Sequence, residues 1–450
     1  MTSRASPASL RGGKSSETIA RVGMKIRERL CAMGTDTPTA MTPVPEGAAV
    51  LSTHPAPTRP AVAPGRLQIL LFLSAFLAAL NYFAPTPFYP QMARDLQTTV
   101  PLLGQVVTLM ALISAGLGLL AGPLADRYGY RWPLVIGLLA IAVGLLGTGL
   151  APTYPVLLGL GVVLGLGDAL AYSLPFAIAA TYFSGIAQRR AIAWTIGALS
   201  TAPIIGVPLL TVVGGLTSWR VALATAGVAA AGVAWFVAAV LPADRLHPSS
   251  RLRIGGLLAA YTPLLHHPPS LRFLAVSGLR GMWWVGLLTY MGAFLGTVVG
   301  LSPQHVGLVY ALAGAAYTAG SITAGNLLGG LSPRLVVALS SVIGGVLVVP
   351  MFFFPVPWVV VPLLIAVSVT AAICSVSVVA LLADESPAGA GTTMVLNGSV
   401  LNLGTAGGAV LGGALIAIGG YMTLGIGLPI FALAAAFLAW WPGSHQTDTT

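Results

Sequence analysis

Charge is what this chain most lacks. Only 7% of its 450 residues are Asp, Glu, Lys or Arg, against 56% hydrophobic, whereas a soluble domain carries about a quarter charged residues. The surface such a chain presents belongs in lipid. Cysteine is nearly absent as well: Cys31 sits in a polar N-terminal stretch and Cys374 inside an apolar one, so no disulfide framework is expected. No CxxC pair, no HExxH and no His cluster at ligand spacing occurs, and the adjacent His266 and His267 point to different sides of any helix. No G-x-x-x-x-G-K-[ST] phosphate loop is present, and the G-x-G spacings lie inside apolar segments without flanking strands. ATP hydrolysis, dinucleotide binding, metal sites, cofactors and enzymatic activity are therefore not expected.

The formal charge of +10 would suit a nucleic-acid partner, but about half of the excess falls in residues 1–66, with nine basic and four acidic residues. The rest lies in short loops, the pattern of basic cytoplasmic segments beside a bilayer, and nucleic acid is not an expected partner. Residues 1–66 are poor in apolar side chains apart from an amphipathic stretch at Ile26–Met33, and are expected to form a mostly disordered basic cytoplasmic tail. No apolar run in the first 30 residues resembles a signal peptide, and Met24, Met33 or Met41 would serve as alternative starts.

From residue 67 onward, apolar segments long enough to cross a hydrocarbon core of about 30 Å follow one another. Their expected spans are 67–90, 102–123, 132–151, 155–182, 190–214 and 219–241, then 270–298, 303–328, 333–354, 357–383, 388–418 and 420–441. A polar loop at 242–269 separates six from six, and a short tail at 442–450 closes the chain. Alternate loops carry Arg127 and Arg131, Arg189 and Arg190, Arg245, Arg251 and Arg253, and Arg334, while the opposite side carries Arg94 and Arg220. That asymmetry puts both termini in the cytoplasm. The halves echo each other: Gly122 recurs as Gly325, 203 positions later, and Gly214 as Gly419, 205 positions later. Similar offsets argue for a parallel tandem repeat.

The sharpest local feature is Gly122-Pro-Leu-Ala-Asp126-Arg127-Tyr-Gly129-Tyr-Arg131, in the turn between the second and third spans. Here Gly122 allows close approach of a neighbouring helix, Gly129 a tight reversal, Arg127 and Arg131 hold the turn on the cytoplasmic side, and Asp126 suits a helix N-terminus. The run resembles the cytoplasmic signature of the major facilitator superfamily, G-x-L-a-D-r-x-G-r-k. Gly161-x-x-x-Gly165-x-Gly167 resembles that family's fourth-helix signature with Gly161 in place of Arg. Gly206-Val-Pro208, Gly214-Gly215 and Trp219-Arg220 resemble the fifth-helix antiporter signature of bacterial sugar-efflux and drug-efflux permeases, and Asn397 to Gly420 is similar to their eleventh helix. The resemblance covers residues 67–441 and implies an all-α membrane fold of twelve helices in two pseudo-symmetric six-helix halves. It also implies a conformational latch at Gly122–Arg131, of which the second copy, Gly325 to Gly329, has lost its acid.

Two ionisable groups remain within the spans away from their ends, Asp168 in the fourth and Arg280 in the seventh. Such groups are costly in a bilayer and mark function. The family arrangement makes the fourth and seventh helices face each other across a central cavity, which implies a cross-cavity Asp168/Arg280 pair broken by protonation or substrate. The alternative keeps Asp168 bonded to a hydroxyl of its own half while Arg280 snorkels to the cytoplasmic face. Tyr172 lies one turn beyond Asp168; Arg280, Trp283 and Trp284 are expected on one side of the seventh helix with Tyr290 in reach. These aromatics, with Asn81, Tyr82, Asn397 and Asn402, are candidates to line the cavity, or else to pack helices together. The whole reads as a secondary transporter of the bacterial inner membrane, monomeric, exporting a small drug-like or sugar-like molecule against protons. A sugar or metabolite symporter or facilitator, and a non-transporting membrane sensor, are the alternatives.

Overall fold

The computed structural model describes residues 63–242, 261–387 and 389–441. Most of the expected N-terminal tail, most of the loop at 242–269, the tail at 442–450 and the side chain of Asp126 lie outside the described residues.

Twelve long helices run through the described residues, with no strand among them. In the first half they are α1 (Pro64–Asp95), α2 (Val100–Tyr128), α3 (Arg131–Leu150), α4 (Tyr154–Tyr182), α5 (Gly185–Leu216) and α6 (Trp219–Val240). In the second half, α7 is built from Pro268–Arg280, a π-turn at Gly281–Val285 and Gly286–Thr297. It is followed by α8 (Pro303–Leu327), α9 (Pro333–Phe353), α10 (Pro357–Asp384), α11 (Ala390–Gly419) and α12 (Met422–Trp440). Eleven of these are long and apolar enough to cross a membrane. The remaining one is α7, which carries Arg272 and Arg280 and lies between two helices that do meet that measure.

Local chemistry explains where the helices begin and end. Prolines occupy the first positions of α1, α2, α4, α7, α8, α9 and α10, where the missing N–H costs nothing and φ is already helical. Ser218, Ser302 and Ser332 accept hydrogen bonds from the backbone N–H three residues on, capping α6, α8 and α9. Gly129 ends α2 at φ 76°, a left-handed conformation that L side chains rarely adopt.

Within the first half α3 packs against α4 and α6, and α2 against α4; within the second, α9 packs against α10 and α12, and α8 against α10. Arg131 donates from Nη2 to the carbonyl of Ala238, tying the start of α3 to the end of α6. In the other half Arg272 donates to the carbonyls of Leu438 and Ala439 at the end of α12, satisfying acceptors that a helix leaves open.

The halves meet through α2 with α11, α5 with α8, and α1 with α7. These contacts are tight at the end of the molecule remote from the described termini. A Cβ on Gly292 of α7 would overlap the carbonyl of Thr86 in α1, one on Gly307 of α8 would overlap Thr211 of α5, and one on Gly104 of α2 would overlap Tyr290 of α7. At the end that carries the termini, nothing lies within 4 Å of where a Cβ on Gly122 or Gly325 would stand. The two halves are therefore closed together at the far end and stand apart at the terminal end. The expected close approach of a helix to Gly122 is absent for that reason.

Candidate functional site

Asp168 sits at the middle of α4, 1% exposed. Ser114 of α2 donates to its Oδ2 at 2.6 Å, and Asn402 of α11 donates from Nδ2 to that serine oxygen at 3.1 Å. Tyr82 of α1 donates to Asn402 Oδ1 at 3.2 Å. Every proton in this relay points toward the carboxylate: Tyr82 to Asn402, Asn402 to Ser114, Ser114 to Asp168. Three of its members belong to the first half, and Asn402 to the second. Asp168 Oδ1 is buried without a partner, which leaves one oxygen of the acid free to take a proton.

The Asp168–Arg280 ion pair expected from the sequence is not formed. Among the described residues the one ion pair joins Arg334 and Glu385 at 2.7 Å. The reason is local: Ser114 has taken the carboxylate within its own half. Arg280 does not snorkel outward either, being 5% exposed with its Nε buried and unpartnered. Between the two lies Tyr172, within electrostatic range of both Asp168 and Arg280 as well as of Tyr317 on α8. Although it sits between groups of the two halves, Tyr172 is 41% exposed. The exposed ring of Tyr172 therefore marks an open space between α4 and α7–α8, with Asp168 buried behind one side and Arg280 behind the other. On the second wall Trp284 stacks on Tyr317, centroids 5.9 Å apart and planes at 14°.

Several residues expected to line this space do not. Asn81 turns into the first half, where its Nδ2 donates to Met110 Sδ at 3.4 Å. With Tyr82, it borders a narrow pocket enclosed by α1, α2, α3 and α4. Trp283 is wholly buried and points toward Gly344 of α9, in the core of its own half, with Nε1 unpartnered. The π-turn at Gly281–Val285 accounts for this: one extra residue in a turn shifts the helix face, so Trp283 leaves the side that Arg280 and Trp284 share. Tyr290 donates to the Ala409 carbonyl and packs between α2 and α11 at the closed end. Asn397 is buried in α11 with Oδ1 unpartnered.

The remaining residues of interest are distributed along the helices. Arg127 and Arg131 lie over the neighbouring rings of Tyr128 and Trp132. Gly206 ends a π-turn at Ala202–Gly206, and Pro208 follows at the start of the outer part of α5. Beside Gly214 stands Phe88, and beside Gly215 stands Gln304 of the opposite half. The sequence reading missed Ser114 and Tyr317. Ser114 was detectable in principle, since it stands four and eight residues before Gly118 and Gly122 and so shares their helix face. Among the described residues no group of three His, Cys, Asp or Glu side chains converges on a metal-sized site.

A family model described as Major Facilitator Superfamily matches residues 71–409. The chain is 27% identical over 399 residues to "Inner membrane transport protein YdhP" of Escherichia coli K12, covering 85% of this chain and 97% of that protein. It is 28% identical over 373 residues to "Transcription regulatory protein OpdE" of Pseudomonas aeruginosa, covering 82% and 92%. A "Chloramphenicol resistance protein" of Pseudomonas aeruginosa is 31% identical over 198 residues, 42% of this chain and 44% of that one. Among solved structures, a mutant of the nucleoside transporter NupG superposes with a TM-score of 0.68 at 15% identity, covering 83% of this chain and 98% of that one. A bacterial homologue of the human lysosomal transporter Spinster, in its inward-facing and occupied conformation, gives 0.68 at 16% identity, covering 84% and 96%.

Proposed function

The chain belongs to the major facilitator superfamily, and we propose that it exports small organic molecules across the bacterial inner membrane in exchange for protons. The observation that carries this reading is the buried carboxyl of Asp168, hydrogen-bonded through Ser114 to Asn402 of the opposite half. A proton on that acid weakens the bond it accepts from Ser114, because a carboxylate is the stronger acceptor, and through the serine hydroxyl it changes the Asn402 bond that joins the halves. Protonation and rocking are thereby linked, as any exchange mechanism requires. Similarity to proteins named for chloramphenicol resistance supports efflux as the direction.

The basic loops support a cytoplasmic terminal end, and on that reading the present conformation is the inward-open one. In the exchange cycle the cargo enters the space beside Tyr172 from the cytoplasm. The halves then rock about α2–α11 and α5–α8, the far end opens, and Asp168 meets a proton from outside. Gly122–Arg131, open in this state, is the latch that engages when the terminal end closes. The chain acts as a monomer with one central site.

A test uses everted vesicles with a pH-sensitive dye and chloramphenicol as probe. Addition of the drug should release protons from vesicles holding the wild-type chain and not from those holding Asp168→Asn. Drug-driven proton movement of normal size in Asp168→Asn sinks the role of the acid. A second reading, a membrane sensor, rests on the similarity to a protein named as a transcription regulator. It gains if no compound in a broad panel moves protons or accumulates.

A further inference from the structure

Arg280 is the least compensated charge among the described residues. It is 95% buried, taking its 5% exposure, its Nε lacks any partner, and no carboxylate lies within ion-pair distance. Asp168 can become neutral by taking a proton, but a guanidinium keeps its charge at any physiological pH. A buried cation in the bilayer interior is paired in nearly every stable arrangement. Among the described residues the one buried carboxyl, Asp168, is engaged by Ser114 in the opposite half.

The groups that surround Arg280 narrow what fills this demand. Across the space stands Tyr172, its ring exposed and tilted against Phe176 with centroids 6.2 Å apart. On the arginine's own wall the Trp284–Tyr317 stack continues the aromatic lining. On α10 the neutral Cys374 lies within range of the arginine's charge and shares a hydrogen bond with Ser341 at 3.4 Å. None of these supplies a negative charge. A bidentate donor facing an exposed aromatic ring is complementary to a flat ligand that carries an anionic group at one edge.

We propose that Arg280 binds the anionic group of an aromatic organic acid whose ring packs against Tyr172, so that the cargo itself bridges the two halves. The proposal rests on the transporter reading and names its class of cargo. It does not rest on proton coupling or on direction.

The test is equilibrium binding to the full chain in nanodiscs, followed by quenching of tryptophan fluorescence. Two matched pairs of probes are used: 4-nitrobenzoate with 4-nitrobenzyl alcohol, and 1-naphthoate with 1-naphthalenemethanol. Each anion should bind at least tenfold tighter than its neutral counterpart. Arg280→Gln should abolish that preference while Arg280→Lys keeps part of it, and Asp168→Asn should retain it whether or not proton exchange survives. Equal affinity for acid and alcohol in the wild-type chain, failure of both acids to bind, or a preference that persists in Arg280→Gln overturns the proposal. The wild-type comparison decides even if the glutamine variant does not fold.

Discussion

Replacing Asn402 by Ala tests the cross-half hydrogen-bond relay most directly. In the present conformation Asn402 makes two bonds to the first half, to Ser114 at 3.1 Å and from Tyr82 at 3.2 Å. Rocking about the α2–α11 seam is expected to break both as the far end opens. The alanine variant removes them from this state and takes nothing equivalent from the other. At about 1 kcal/mol net per buried neutral hydrogen bond, the bias is about 2 kcal/mol. At about 1.4 kcal/mol per decade, the ratio of the two conformations moves roughly 30-fold toward the far-open form. Spin labels at Leu216 of α5 and Leu308 of α8, both exposed near the closed end, report the distance between halves, with Cys31 changed to Ser. A longer-distance population should grow strongly in Asn402→Ala. An unchanged distribution, or one shifted the other way, would mean the relay joins the halves in geometry without contributing to their equilibrium.

Two further outcomes follow from the packing. Gly292→Ala puts a methyl on the carbonyl of Thr86, and overlap with backbone is not relieved by a rotamer change, so the same spin labels should report partial opening of the far end. An unaltered distance distribution there would show that α1 and α7 yield without cost. Arg131→Met removes the donor that ties α3 to the end of α6, a charged hydrogen bond worth on the order of 2 kcal/mol. Denaturant unfolding should show a loss of that order, partly recovered by Arg131→Lys, and an unchanged midpoint would refute the assignment.

Helix number and placement were legible in the sequence because in lipid every backbone group must be satisfied within the helix, and apolar length betrays every span but α7, which its position between the others supplies. The helix starts and ends fell within a few residues of prolines, glycines and charges. The site was legible in part. Asp168 and Arg280 stood out as ions in apolar surroundings, and Tyr82 and Tyr172 do lie around them. What the sequence did not reveal was rotation. A regular period of 3.6 residues places Trp283 beside Arg280, but the π-turn at Gly281–Val285 turns it inward toward Gly344. The same limit applies to the partner of Asp168: spacing puts Ser114 on the face of Gly118 and Gly122, but does not say which helix that face will meet. Asn81 and Tyr82 are adjacent, so one faces the pocket inside the half while the other reaches Asn402.

The composition of α7 bears on how the protein is made. Arg272 and Arg280 leave it the one long helix too polar to qualify as a span by itself, and an arginine deep in a bilayer costs about 2.5–3.5 kcal/mol at insertion. Six helices precede it in the chain. Its arginine-bearing part, Pro268–Arg280, packs chiefly against α10, α11 and α12 of its own half. Its partner α11, whose Gly404 and Gly408 admit the α7 backbone closely, emerges only later. The polar part of α7 thus finds its neighbours in helices made after it, and order of synthesis becomes part of what the sequence encodes.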